Sequence, residues 1–224
     1  MSRSGLRLNY VGLLLIFTLS LGFVACSSSS DQSRSTANSG AANAPPAGQS
    51  SSGTSTPMDD MAHGGTMKSS PGAASAPFDL QFIDTMSEHH RSAIEMAKIA
   101  EEKAQHPEVK AFAGKIIAAQ QKENEQMKAW RDQWYAGKPQ AMNMELTGMP
   151  ASMMDTDKLR AATGAQFDLM FIKMMTPHHS GAIQMAKDAL ARAEHPEIKN
   201  LARQVVIDQQ REVEQMSKWA KEYK

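Results

Sequence analysis

Beyond residue 77 the chain sets apolar residues at α-helical intervals. Ile83, Met86, His90, Ala93, Ala97, Ala100 and Ala104 recur at spacings of three and four, the mark of a buried seam. A neighbouring stripe through Phe82, Met86, His89, Ala93, Met96 and Ala100 places both His89 and His90 at the border of the apolar face. After His106-Pro107-Glu108 a new seam starts, formed by Val109, Ala113, Ile116, Gln120, Glu123, Met127, Trp130 and Trp134. Proline suits the first turn of a helix, where its missing N–H is not needed, and glutamate there meets the positive end of the helix dipole. The pattern predicts two helices with a break between them, and His106 is read as a residue at a helix entrance rather than a ligand.

The same hairpin is written twice. Residues 78–135 align with 167–224 at a constant offset of 89 and no gap, and 27 of the 58 aligned positions are identical. The second break falls at His195-Pro196-Glu197, and His195 is read as His106 is. A unit of this length is shorter than the roughly 70–80 residues that a self-sufficient core needs, so the copies are expected to pack on one another. Four helices of roughly 25 residues, each about 38 Å long, make an all-α four-helix bundle the economical architecture. The 78–224 domain then consists of repeat 1 (78–135), a connection (136–166) long enough to cross the bundle, and repeat 2 (167–224). Within the connection, 155–162 is expected to form a short helix with an Asp or Thr cap.

Two polar residues interrupt each second seam, and they do so at one level. An antiparallel hairpin puts Met86 level with Met127, and His89 and His90 level with Gln120 and Glu123. Repeat 2 sets Met175, His178, His179 and Met185 against Gln209, Glu212 and Met216. Burying an unpartnered imidazole or carboxylate costs on the order of a few kcal/mol, so a polar cluster kept in both copies calls for compensation. A bound cation would supply it. Thioether sulfur with neutral imidazole suits Cu(I), and Ag(I) with it, better than magnesium or calcium, which want several hard oxygens. The expected metal ligands are Met86, His89, His90, Met96 and Met127 in repeat 1 and Met175, His178, His179, Met185 and Met216 in repeat 2. For Met96 and Met185 the alternative is plain core filling, which methionine does well. Gln120, Glu123, Gln209 and Glu212 are cast as groups that orient the imidazole N–H. Protons compete for the same nitrogens, so affinity is expected to fall in acid.

Upstream, the chain reads as an export and anchoring device. Arg3 and Arg7 precede an almost wholly apolar run from Val11 to Val24, too short to span a bilayer comfortably, and Ala25 leads into Cys26. Residues 1–25 are thus expected to be a lipoprotein signal peptide and Cys26 the lipidated end of a protein facing the periplasm or cell exterior. Residues 26–77 are rich in Ser, Gly, Ala and Pro and cannot bury enough apolar surface to fold, so they are read as a flexible tether. Met58, Met61, His63 and Met67 punctuate it beside Asp59 and Asp60, either as a loose accessory metal-capture segment or as solvated linker. Cys26 is the single cysteine, which excludes an internal disulfide or thiolate cluster. The 24 basic and 24 acidic residues balance, and no basic stripe offers itself to nucleic acid. The expected partners are a metal ion, the membrane through the anchor, and an unidentified protein that receives the metal.

The motif Met86-Ser87-Glu88-His89-His90-Arg91-Ser92-Ala93-Ile94-Glu95-Met96-Ala97, repeated as Met175-Thr176-Pro177-His178-His179-Ser180-Gly181-Ala182-Ile183-Gln184-Met185-Ala186, resembles that of the bacterial DUF305 family. Gln120, Glu123 and Met127 to Trp130, with Gln209, Glu212 and Met216 to Trp219, look like the family's later elements. The resemblance covers nearly everything after residue 77. It implies a ferritin-like four-helix fold and, through CopM-like members, copper binding and tolerance outside the cytoplasm without enzymatic activity. Pro177 replaces Glu88 ahead of the second histidine pair, and inside a helix it removes a backbone hydrogen bond, which predicts a kink and unequal sites. Two other functions are open to this sequence. A di-iron oxidase would want several core glutamates and Glu-x-x-His motifs, and none of the latter occurs. A structural or partner-binding envelope lipoprotein would use the histidines only as hydrogen-bonding core residues.

Overall fold

The computed structural model describes residues 68–152 and 156–223, all helix, turn and irregular chain. Four long helices dominate: α1 (Phe78–Lys103), α2 (Pro107–Trp134), α4 (Gly164–Arg192) and α5 (Pro196–Glu222), with the short α3 (Thr156–Ala161) in the connection. The breaks fall where proline demanded them. His106 and His195, each preceding a proline, are extended at φ −82°, ψ 124° and φ −75°, ψ 126°, the conformation that a following proline ring imposes. α4 runs on through Pro177. The leader, Cys26, Met58, Met61, His63 and Met67 lie outside the described residues.

α1 packs on α2, α4 on α5, and α1 on α4. Contacts pair rising with falling residue numbers: Asp84 meets Arg131, Ser87 meets Met127, and His90 meets Glu123. Each hairpin is therefore antiparallel. The hairpins are clasped to each other at both ends by reciprocal ties. Asp79 at the start of α1 accepts hydrogen bonds from the backbone N–H groups of Glu194 and His195 and lies 2.6 Å from His195 Nδ1. Asp168 at the start of α4 does the same for Gln105 and His106, at 2.5 Å from His106 Nδ1. Trp134 stacks on His195 and Tyr223 on His106, both with ring centroids 3.9 Å apart. The sequence repeat has become an approximate twofold axis relating two hairpins. This is the expected ferritin-like four-helix bundle, and no described helix is long and apolar enough to cross a membrane.

The core divides into two apolar clusters, and each draws on both repeats. One joins Phe82, Met86 and Met127 to Met185, Ile198 and Val205; the other joins Met96, Val109 and Ile116 to Phe171, Met175 and Met216. On every long helix the passage from one cluster to the other crosses the polar positions singled out above.

The connection breaks the symmetry. Its residues 141–143 are tied to α1, where Asp84 accepts from the Ala141 N–H, Thr85 Oγ1 from the Asn143 N–H, and Gln81 Oε1 from Asn143 Nδ2, and its later part packs on α4. Their counterparts on α4 are Lys173, Met174 and Met170, which cannot reproduce this set. Residues 68–77, read from sequence as the end of the tether, join the fold. The Ser70 N–H donates to the Met142 carbonyl, Ser69 Oγ accepts from the Met144 N–H, and Ala73–Ser75 form a 3-10 turn. Composition alone missed these contacts because their partners lie some seventy residues away. The short helix is Thr156–Ala161, inside the range expected.

Candidate metal centre

Periodicity put the histidine pairs at the inner border of α1 and α4, and packing has closed over them. His89, His90, His178 and His179 are all 0% exposed, and Gln120 and Gln209 are nearly so. They form one polar layer across the middle of the bundle, with an apolar cluster above and another below. Its centre is the meeting of equivalent residues: the His89 and His178 rings lie 3.9 Å apart, centroid to centroid, tilted by 51°. His90 and His179 flank them, each 6.2 Å from its sequence neighbour's ring. The four imidazoles form a single cluster shared by the repeats, an arrangement that neither seam alone disclosed.

The carboxylates come close to the outer imidazoles, as the register foresaw, and the amides lie in the layer without a hydrogen bond. Glu123 Oε2 comes to 2.7 Å from His90 Nε2, and Glu212 Oε2 to 2.9 Å from His179 Nε2. Neither contact has the direction of a hydrogen bond, so both ring nitrogens stay unpartnered in spite of the short distance. We read these pairs as electrostatic approaches. Gln120 and Gln209 make no side-chain hydrogen bond at either amide atom. Register thus brings Glu123 and Glu212 beside the outer imidazoles, while Gln120 and Gln209 lie buried in the same layer.

Among the described residues, the buried side-chain nitrogens and oxygens with no hydrogen-bond partner are, Asn124 Oδ1 apart, all on the four histidines and these two glutamines. Folded proteins leave few such atoms, and each one costs roughly 1–3 kcal/mol. Their concentration in one layer marks a place whose polar groups are not there to hold the apo fold together. Burial pushes His89 well below the usual imidazole range, helped by the nearby His90 and His179. Burial likewise depresses His178, with His89, His179 and His90 adding to the effect. Both are thus neutral at ordinary pH, which leaves a lone pair on each ring for a cation.

The methionines are divided between the two apolar clusters in crossed sets. Met86 and Met127 share a cluster with Met185 of the other repeat, while Met175 and Met216 share one with Met96. All six are essentially fully buried. Ser87 Oγ lies 3.9 Å from Met127 Sδ, and Thr176 Oγ1 lies 3.8 Å from Met216 Sδ, the same contact in both halves. Among the described residues no three His, Cys, Asp or Glu side chains are arranged to hold a metal ion between them. A cation in this layer would draw on imidazole nitrogen and thioether sulfur together, a soft donor set.

Sequence reasoning missed several neighbours of the cluster. Ser92 Oγ lies 2.7 Å from His178 Nε2, across the axis between the hairpins. The equivalent residue in repeat 2 is Gly181, where an added Cβ would lie 3.6 Å from His89 Nε2 and 2.4 Å from the Gly148 carbonyl oxygen. So a serine hydroxyl touches one central histidine, and the backbone of the connection presses toward the other. Met142, Met144 and Met149 of the connection are buried in the Met86 cluster. The available signal for Ser92 was its replacement by glycine inside an otherwise well-matched motif.

Comparison with known proteins now decides the family. The sequence profile of DUF305, a domain of unknown function, matches residues 29–131 and again 79–220. The chain belongs to the DUF305 family. Among solved structures it is similar to CopM in the Cu(II)-bound form, with 38% identity, TM-score 0.58, and coverage of 65% of this chain and 97% of that one. CopM has also been solved in Cu(I)-bound, silver-bound and apo forms, which match this chain as well. A DUF305 protein of Streptomyces coelicolor, assigned as secreted, matches with 32% identity and TM-score 0.61, covering 66% of this chain and 92% of that one. A curated relative, the uncharacterized protein L153 of Acanthamoeba polyphaga mimivirus, is 42% identical over 50 residues, 22% of this chain and one third (33%) of L153.

Proposed function

We propose that this protein binds copper outside the cytoplasm, Cu(I) foremost and Ag(I) in its place, and sequesters or passes on the ion in metal tolerance. The observation that carries this reading is the layer of four fully buried imidazoles with unpartnered ring nitrogens, set between two methionine-bearing clusters. A cation would relieve the cost of those orphaned groups, and the donors on offer are those a soft monovalent ion prefers. The likeness to CopM, solved with Cu(I), Cu(II) and silver, supports the choice of metal. His89, His90, His178 and His179 are the central ligands in this reading. Met86, Met127 and Met185 flank them on one side, and Met96, Met175 and Met216 on the other. Glu123 and Glu212 steady the outer imidazoles. Binding rather than catalysis is the role, with Cys26 as the lipid anchor that keeps the domain at a membrane surface.

The test is competition for Cu(I) against a chromogenic chelator in reducing buffer, using the mature chain with Cys26→Ser. The expected result is retention of copper and a higher melting temperature on loading, because selective binding to the folded state stabilises it. Replacing His89, His90, His178 and His179 by Ala abolishes both. Failure of the unaltered chain to compete, or full retention by the fourfold variant, would sink the assignment.

A further inference from the structure

With all four imidazoles at 0% exposure, an ion has to be let in. The carboxylates beside the outer histidines still reach solvent: the Glu123 side chain is 15% exposed and that of Glu212 20%. Glu123 also lines a groove of about 590 Å³ between α2 and α5, whose walls include Gln126 and Trp130 on one side and Glu197, Leu201 and Asp208 on the other. We propose that this groove is the entry path for a monovalent soft cation, and that Glu123 hands the ion from the groove to His90. The proposal rests on the copper reading and adds the route.

Three observations converge on it. The groove is biased toward cations, since the carboxylates of Glu123, Glu197 and Asp208 outnumber the one ammonium, Lys122. Arg211 lies 3.6 Å from Asp208 in an exposed pair and tempers that field without reversing it. A cleft of one sign concentrates its counter-ion and raises the on-rate. The floor of the groove leads inward, because Glu123 Oε2 is 2.7 Å from His90 Nε2, on a ring that is wholly buried and unpartnered at Nδ1. A carboxylate is a hard donor that holds a soft ion weakly, as suits a way station rather than a resting place.

The third observation is that the repeat changes the lining of the equivalent place. The residue equivalent to Leu201 is Phe112, whose ring packs edge-on against Trp219 at 5.2 Å, at the place that corresponds to Trp130. Gln204 is matched by Lys115, and Lys122 by Arg211. The Glu212 side therefore carries a phenylalanine packed on its tryptophan and one more cation, Lys115, where the Glu123 side carries Leu201 and the neutral Gln204. Ions enter from the Glu123 side.

The experiment follows Ag(I) binding to the mature chain carrying Cys26→Ser by stopped-flow tryptophan fluorescence, with the fourfold histidine variant as background. Leu201→Phe places in the groove the phenylalanine that Phe112 supplies on the other side. It is expected to slow association by at least about 10-fold, with dissociation slowed in step and affinity little changed, since a path alters rates and not end states. The double change Glu197→Gln with Asp208→Asn, on the solvent side of the groove, is expected to slow association several-fold at low salt and to flatten its dependence on ionic strength. A wild-type association rate in folded Leu201→Phe overturns the route, and unchanged salt dependence in the double variant overturns the steering. If the unaltered chain takes up no Ag(I) or Cu(I), the copper reading falls and the route with it, an outcome distinct from normal affinity with unaltered rates.

Discussion

At the scale of single residues, the central histidines are held neutral by burial, and that has a consequence for the metal-free protein. In the unfolded chain each imidazole takes up a proton as the pH falls through about 6.5, whereas His89 and His178 in the folded state resist it. Over that range the unfolded state binds more protons, so acidification favours unfolding. The stability due to these groups is complete above about pH 6.5 and drains away below it, toward their depressed folded values, by about 1.4 kcal/mol per pH unit for each imidazole. Urea titrations of the apo protein between about pH 7.5 and 5 should show this slope, and the double variant His89→Gln, His178→Gln should lose most of it. An unaltered slope in that variant would mean that other groups carry the effect. The positions of these residues were legible in the sequence, as was the approach of Glu123 and Glu212, because both follow from helical register within one hairpin. The close approach of His89 to His178 and the Ser92 contact were not, since register says nothing about how two hairpins meet.

Among the elements, the connection shows how a local rule gives way to a tertiary one. Gly148 sits at φ +92°, where residues with a side chain are strained, and its carbonyl oxygen would lie 2.4 Å from a Cβ on Gly181. Gly181 is inside α4, so the ordinary expectation is that alanine there gains about 0.5–1 kcal/mol of helix propensity. Here Gly181→Ala should instead lift the connection off α4, at a cost of a few kcal/mol, with faster amide exchange from Ala141 to Met149. Gly114→Ala is the control: its Cβ would meet the Glu101 Oε1 tip at 2.9 Å, a flexible side-chain end that can move. That variant is expected to be neutral or stabilising, and equal exchange profiles for the two would contradict the close-packing argument. The helices and their proline-directed ends could be read from the chain. The path of the connection was written only in the places where the repeats disagree: Gln81, Asp84 and Thr85 against Met170, Lys173 and Met174.

For the whole molecule, folding is a property of the pair. Each apolar cluster is completed by residues from both hairpins, and each hairpin's turn is capped by an aspartate of the other. A chain of residues 68–152 or of 156–224 alone is expected to show weak, non-cooperative helicity by circular dichroism at low micromolar concentration. Mixing the two should restore a cooperative melt. Either half melting cooperatively as a monomer would show that the shared core is dispensable. The axis through His89 and His178 has one further effect. In an assembly of two identical subunits, a change beside that axis appears on both sides at once, and neither imidazole can be tuned apart from its twin. Covalent linkage of the halves removes that constraint. Ser92 on one side and Gly181 on the other are independent edits of what symmetry would otherwise have kept identical, so the innermost pair of nitrogens can differ in their readiness to accept or release a guest.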